Sequence, residues 1–170
     1  MIIAITGTPG TGKTTVAKLL AKKLGWRYVS VNDIVFEKKL YLGFDEKRKS
    51  YDVDMKALNK EIEALRKTGE NIILDGHLSH LLKVDKVIVL RCRPDVLKKR
   101  LEKKYDWYTK IYENIEAERF GVILEEALKS NREVYEIDTT DKEVKEVVEA
   151  CVNIVEGRGD EFKPGRISWI

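Results

Sequence analysis

Apolar, β-rich runs recur along the chain at residues 2–5, 28–31, 71–74, 86–90 and 133–137. Between them, apolar residues return every three or four positions, the period of a helix with one buried face. Val16, Leu19, Leu20 and Leu24 form one such stripe, closed by Gly25, and Met55, Leu58, Ile62 and Leu65 form another, stopped by Gly69. Pro94 opens a helix carrying Val96, Leu97 and Leu101, and Ile111, Ile115 and Leu124 mark a further one. Thr140-Asp141-Lys142-Glu143 reads as a capping box ahead of Val144, Val147, Val148, Cys151, Val152 and Val155. Strands alternating with helices predict βαβ units, hence a parallel sheet covered on both faces with ligands at the carboxyl ends of its strands. Two stretches break the rhythm. Residues 31–55 are long and poorly periodic, either a segment folded over a substrate or a surface excursion. Residues 157–170 mix Gly, Pro and charge before Ile167, Trp169 and Ile170. They form either a disordered end or a strap, and Trp169 favours the strap.

The link between the first strand and the first helix carries chemistry. Gly7-Thr8-Pro9-Gly10-Thr11-Gly12-Lys13-Thr14 fits G-x-x-x-x-G-K-[ST], with the apolar strand and the helix that this motif requires on either side. Gly10 and Gly12 let the backbone curl so that its N–H groups converge on an anion, and a helix starting at Lys13 adds the positive end of its dipole. Lys13 suits the β- and γ-phosphates of a nucleotide such as ATP, and the hydroxyl of Thr14, next to Thr15, suits Mg²⁺.

Composition narrows the setting. The 170 residues are expected to form a single P-loop domain with a sizeable core. A net charge of +3 is too small to indicate nucleic-acid binding by itself. Charged residues make up 36% of the chain, rich in Lys and Glu, and Gln is absent, a pattern expected of a thermophile. Cys92 and Cys151 lie far apart in apolar surroundings, as reduced core residues of a cytoplasmic protein would. No apolar stretch approaches a membrane span, and the chain is expected to enter its first strand without a signal peptide.

Two further constellations accompany the loop. In Asn71-Ile72-Ile73-Leu74-Asp75-Gly76-His77, an apolar strand ends in a carboxylate. Asp75 beside the phosphate loop would hold Mg²⁺ through its water shell. His77 would orient a water or polarise a phosphoryl oxygen, or else cap a turn. His80 lacks that context and is expected at the surface. Residues 91–120 gather many cations, with Arg100 and Lys104 one helical turn apart on one face. They would close over a nucleotide as a lid, or form a solvated basic face.

Together these residues resemble a known family, the atypical adenylate kinases called coilin-interacting nuclear ATPase proteins in animals, which also have archaeal members. The matching pieces are Gly7 to Thr15, Val31-Asn32-Asp33, Leu40-Tyr41 with Gly43 and Asp45-Glu46, Asp75-Gly76-His77, Arg100-Leu101-Glu102, and Glu113-Asn114-Ile115 leading to Glu118 and Phe120. The resemblance implies an adenylate-kinase-like α/β fold with a five-stranded parallel core. It implies an AMP-binding insert at about 30–52 with Asp33 toward AMP, where Lys38 or Lys39 would stand in for a missing arginine, and a short lid at about 103–113. It also implies phosphoryl exchange between ATP and AMP, slow ATP hydrolysis, and a role in small-ribosomal-subunit maturation through a ribosomal protein of the eukaryotic S-fourteen type, with contact to ribosomal RNA. Two positions depart from the family. Phe36 stands where an arginine is usual, and Lys104-Tyr105 replaces the lid's Arg-Gly. A weakened kinase with retained ATPase activity follows from those departures. An assembly factor driven by ATP is the rival reading. A kinase acting on a sugar or a shikimate-like alcohol is a third, and the Asp75-Gly76-His77 signature argues against it.

Overall fold

The computed structural model describes residues 1–131 and 133–170. In chain order the elements are β1 (Ile2–Gly7), α1 (Lys13–Leu24), β2 (Arg27–Ser30), α2 (Val31–Glu37), β3 (Tyr41–Asp45), β4 (Ser50–Val53), α3 (Met55–Lys67) and β5 (Ile72–Asp75). They continue with β6 (Lys86–Arg91), α4 (Pro94–Glu102), α5 (Tyr108–Arg119), α6 (Val122–Ser130), β7 (Val134–Asp138) and α7 (Val144–Val155). Five strands make one parallel sheet in the order β2-β5-β1-β6-β7, and β3 pairs with β4 in a separate antiparallel hairpin. The expected five-stranded parallel sheet with helices on both faces is therefore the observed one.

Alternation along the central strand assigns the layers. Every residue of β1 is buried. Ile3 and Ile5 face α1 and α7, packing with Val16, Leu20, Val148, Cys151 and Ile154. Ile2 faces the other side with Leu58 and Ile62 of α3, while Ala4 packs with Ala127 of α6. Successive strand residues point to opposite faces, so a strand covered on both sides must be apolar throughout. The register brings the polar ends together: Asp75 lies opposite Ile5 of β1 and Ser30 of β2, Gly7 opposite Leu90, and Arg91 opposite Asp138.

Several expectations are corrected locally. Leu19 is exposed, and the buried stripe of α1 is Val16, Ala17, Leu20 and Ala21. The two alanines let the helix lie close to the sheet. β2 ends one residue early because Ser30 Oγ accepts from the Asp33 backbone N–H and caps α2. The helix through residues 111–124 is two helices, because Gly121 at φ 63° turns the chain between α5 and α6. Thr140 does not cap α7: its hydroxyl donates to Asp138, and the helix starts at Val144 without a side-chain cap. Residues 31–55 contain α2 and the hairpin, whose turn is shaped by Asp45 Oδ1 accepting from the backbone N–H of Lys47 and Arg48. Cys92 and Cys151 are buried and free, and burial pushes the Cys151 thiol up to about 12.

Residues 157–170 run back over the body. Phe162 packs against the α1–α7 core, the Gly165 N–H donates to Glu136 at 2.7 Å, and Trp169 reaches Glu118.

Candidate active site

Between β1 and α1 the chain curls tightly around one residue. Thr8 carbonyl accepts from the Thr11 N–H at 3.3 Å and from the Thr11 hydroxyl at 2.8 Å. Gly12 at φ 92° then turns the loop into α1, a conformation that costs other residues a steric penalty. Lys13, at the first position of the helix, is half-buried, with its ammonium 3.4 Å from the same Thr8 carbonyl. Loss of hydration lowers its pKa to about 8, opposed by Asp75 and Glu118 and assisted by Lys104. A poorly hydrated cation at a helix N-terminus is a receptor for an anion.

Asp75, buried at the tip of β5, anchors the other side. Its Oδ2 accepts from Thr14 Oγ1 at 2.9 Å and from the Tyr28 hydroxyl at 2.7 Å. Burial first, then the bond and charge of Asp75, raise the Tyr28 pKa, so the phenol is a donor at neutral pH. The hydroxyl of Thr14 and the carboxylate of Asp75 are hard oxygen donors side by side. Among the described residues no group of three or more His, Cys, Asp or Glu gathers to hold a metal. A divalent cation here would share Thr14 and Asp75 with oxygens of its ligand and water, the usual habit of Mg²⁺.

His77 lies at the exposed mouth of the site. Partial desolvation at the mouth, then the charges of Lys13, His80, Lys110 and Lys104, lower its pKa toward about 4, a shift its solvent-exposed ring moderates. It is neutral at physiological pH. His80 is not at the surface: it is 1% exposed, its Nδ1 lies 2.8 Å from the Thr6 hydroxyl, and its Nε2 lies 3.3 Å from Glu126. The short helical turn at Ser79–Leu81 carries it inward, where it ties β1 to α6.

The cations of residues 91–120 divide between the site and the body. Arg100 on α4 sits with its guanidinium 3.5 Å from the Gly10 carbonyl. Lys104 follows α4 and is close enough to depress both Lys13 and His77. Lys104 and Lys110 flank Tyr105, their ammonium groups 5.4 and 5.1 Å from its ring centre. Thr15 is exposed on the first turn of α1. On α2, the charge of Asp33 reaches Tyr28. Lys38 instead turns to α3 and pairs with Glu61 at 2.7 Å, and Lys39 follows in a left-handed turn at φ 54°. Phe36 is half-exposed in a ring cluster with Tyr41 and Tyr51, at 6.3 and 5.3 Å.

A buried network beneath the loop escaped sequence reasoning. Arg91, 3% exposed, donates from Nε to Glu118 at 2.7 Å and from Nη1 to Glu136 at 2.8 Å. Glu118 also accepts the Thr8 hydroxyl of the loop at 2.8 Å. The available signal was Glu136, a carboxylate inside a strand otherwise facing the core, which demands a buried partner. Tyr28 had no such signal, since a tyrosine in a strand is commonplace.

The fold and the loop at the carboxyl end of its central strand define a P-loop α/β protein. The chain belongs to the AAA-domain family, whose model matches residues 3–121. Full-length relatives place it further. A Thermococcus kodakarensis protein named "Putative adenylate kinase" is 44% identical over 177 residues, covering 99% of this chain and 93% of the relative. A protein of the same name from Methanocaldococcus jannaschii is 43% identical over 169 residues with the same coverage. In fold, the chain is similar to the YorR protein of Bacillus subtilis, solved in complex with phosphorylated GDP, at a TM-score of 0.62 and 20% identity, covering 92% of this chain and 96% of that one. The shikimate kinase of Aquifex aeolicus gives 0.56 at 18% identity, covering 92% and 97%. Among the described residues, no helix is long and apolar enough to cross a membrane.

Proposed function

We propose that this protein is an adenylate-kinase-like phosphotransferase, converting ATP and AMP to two ADP with Mg²⁺ and hydrolysing ATP slowly. The observation that carries the reading is the pairing of a poorly hydrated Lys13 with the linked oxygens of Thr14 and Asp75 at one loop. The names of the archaeal relatives support AMP as the acceptor.

The chemistry asks the protein mainly for position and charge. Lys13 and the loop N–H groups hold phosphate oxygens. Thr14 and Asp75 would hold Mg²⁺, which when bound would neutralise charge developing on the phosphates. Arg100 from α4 and Lys104 from the lid at about 103–113 add positive charge. The insert at about 30–52 would carry the AMP subsite, with Asp33 and Lys39 toward AMP and Lys38 turned to Glu61. Phe36 in place of an arginine, and Lys38 already paired with Glu61, leave that subsite short of free cations, so AMP binds weakly.

ATP hydrolysis is the second reading, and neutral His77 favours it. An unprotonated imidazole at the mouth of the site can orient an attacking water through its free ring nitrogen. Work in the cytoplasm with a small-subunit ribosomal protein or ribosomal RNA rests on the family resemblance alone.

The test is ADP formation from MgATP with and without each of the four nucleoside monophosphates, in wild type and Lys13→Ala. AMP-stimulated ADP formation that falls by about 10²–10³ in the variant, at unchanged Tm, is expected. No AMP stimulation reduces the protein to an ATPase, and near wild-type turnover in Lys13→Ala removes the loop assignment.

A further inference from the structure

Thr8 sets the shape of the phosphate loop, and its hydroxyl is held from below. Its carbonyl accepts the two Thr11 donors and faces the Lys13 ammonium, while its hydroxyl donates to Glu118 Oε2 at 2.8 Å. Glu118 is 3% exposed on α5, and its other oxygen is crowded with donors. Oε1 accepts from Arg91 Nε at 2.7 Å, the Cys92 N–H at 3.1 Å and the Trp169 indole at 3.3 Å. Trp169 belongs to the tail, and its ring also lies 5.9 Å from the Arg91 guanidinium. A second tail donor, the Gly165 N–H, meets Glu136, the other carboxylate that holds Arg91.

The charge arrangement matters for an anion receptor. Two buried carboxylates share one buried guanidinium, leaving one excess negative charge beneath a loop that must receive phosphate. The two tail donors fall on those two carboxylates. Donors to a buried carboxylate lower its energy and fix its position. Without them, Glu118 is free to shift toward Arg91 or to admit water, and the Thr8 hydroxyl loses its fixed acceptor.

We propose that Glu118 is a positioning residue for the phosphate loop, and that the C-terminal strap, through Trp169 and Gly165, holds Glu118 in place and so sets nucleotide affinity. Among the described residues, the strap's hydrogen bonds reach none of the residues assigned to the nucleotide. Part of this rests on the reading of the loop as a nucleotide-phosphate site, but the coupling of strap to loop does not.

Full-length Trp169→Phe keeps the ring over Arg91 and removes the indole N–H. Thr8→Val removes the hydroxyl, and Thr8→Ser keeps it. Amide hydrogen exchange across residues 8–13 is read in the nucleotide-free proteins, beside MgATP affinity by calorimetry. Trp169→Phe and Thr8→Val should each speed loop exchange and weaken MgATP by about threefold to tenfold, part of the about tenfold to hundredfold that one hydrogen bond to a charged group is worth. Thr8→Ser should behave as wild type. The double variant should be no worse than Thr8→Val alone, since both act through one carboxylate. Wild-type exchange and affinity in Trp169→Phe overturn the proposal. So does fully additive loss, or exchange that rises equally through β1 and β6, which would mean general loosening. If the wild type binds no nucleotide yet loop exchange still responds to Trp169→Phe, the coupling stands and the nucleotide reading falls.

Discussion

Raising the pH should strip this protein of nucleotide affinity well below the ordinary titration range of lysine. Lys13 has its pKa lowered to about 8, chiefly because the ammonium is poorly hydrated between the loop and the sheet. Nucleotide phosphates supply the missing counter-charge and return the bound-state pKa toward its usual value near 10.4. The sign follows. The free protein loses the Lys13 proton above about pH 8, so binding must take a proton back up, and each further unit of pH weakens binding by up to about tenfold. With a midpoint of about 8, the protonated fraction falls from about three-quarters at about pH 7.5 to about one-tenth at about pH 9. MgATP affinity should fall about eightfold across that span. By the same linkage the lowered pKa disfavours the folded free protein below about pH 8, a cost relieved as pH rises toward the unfolded value. Isothermal titration across this range, in two buffers of different ionisation enthalpy, reads both the affinity and the proton uptake. His77, with its pKa near 4, is neutral throughout and adds nothing. Affinity that stays flat between those pH values, or binding without proton uptake, would refute the account of Lys13 as a desolvated cation awaiting phosphate.

Two other outcomes follow from the geometry. His77→Ala should lower ATP hydrolysis more than AMP phosphorylation, because only hydrolysis needs a water held in place, whereas Asp75→Asn should lower both. Paired steady-state rates decide this, and equal losses in His77→Ala would make the histidine a structural group. Arg91→Met should destabilise the fold by about 3–5 kcal/mol, because it strands Glu118 and Glu136 as buried charges. Denaturant unfolding measures this, and a loss below about 1 kcal/mol, the size expected of an exposed pair such as Lys129–Glu125, would show that water reaches the network.

What the sequence made legible, and what it hid, divides by chain separation and burial. The phosphate loop was readable because its parts are consecutive: the strand, the glycines, Lys13 and Thr14 are neighbours in the chain, so spacing alone encodes their meeting. The central strands β1, β5 and β6 were readable because burial on two faces leaves them apolar along most of their length. The β3–β4 hairpin buries little, with Leu42 71% exposed and Phe44 46%, so it offers no apolar–polar contrast to read. His77 and His80 differ by three residues, yet a short turn sends one to the mouth of the site and the other into the core. Nothing in the residue types distinguishes them.

The partners of Arg91 lie 27 and 45 positions away, and Trp169 lies 51 from Glu118. Such pairs leave no periodic trace. Their one local sign is an isolated charge among apolar residues, as at Glu136, which announces that a partner exists without naming it. That asymmetry has a functional side. The groups that would touch the nucleotide phosphates, Lys13, Thr14 and Asp75, sit on or beside local motifs, so variation elsewhere leaves them recognisable. The groups that hold Thr8 in place are drawn from α5, β6, β7 and the tail at once. A relative can therefore retain the whole loop motif while changing Glu118 or Trp169, and its loop would then be the same in sequence but differently supported. Differences in nucleotide affinity among chains with one loop sequence should accordingly follow the network beneath the loop rather than the loop itself.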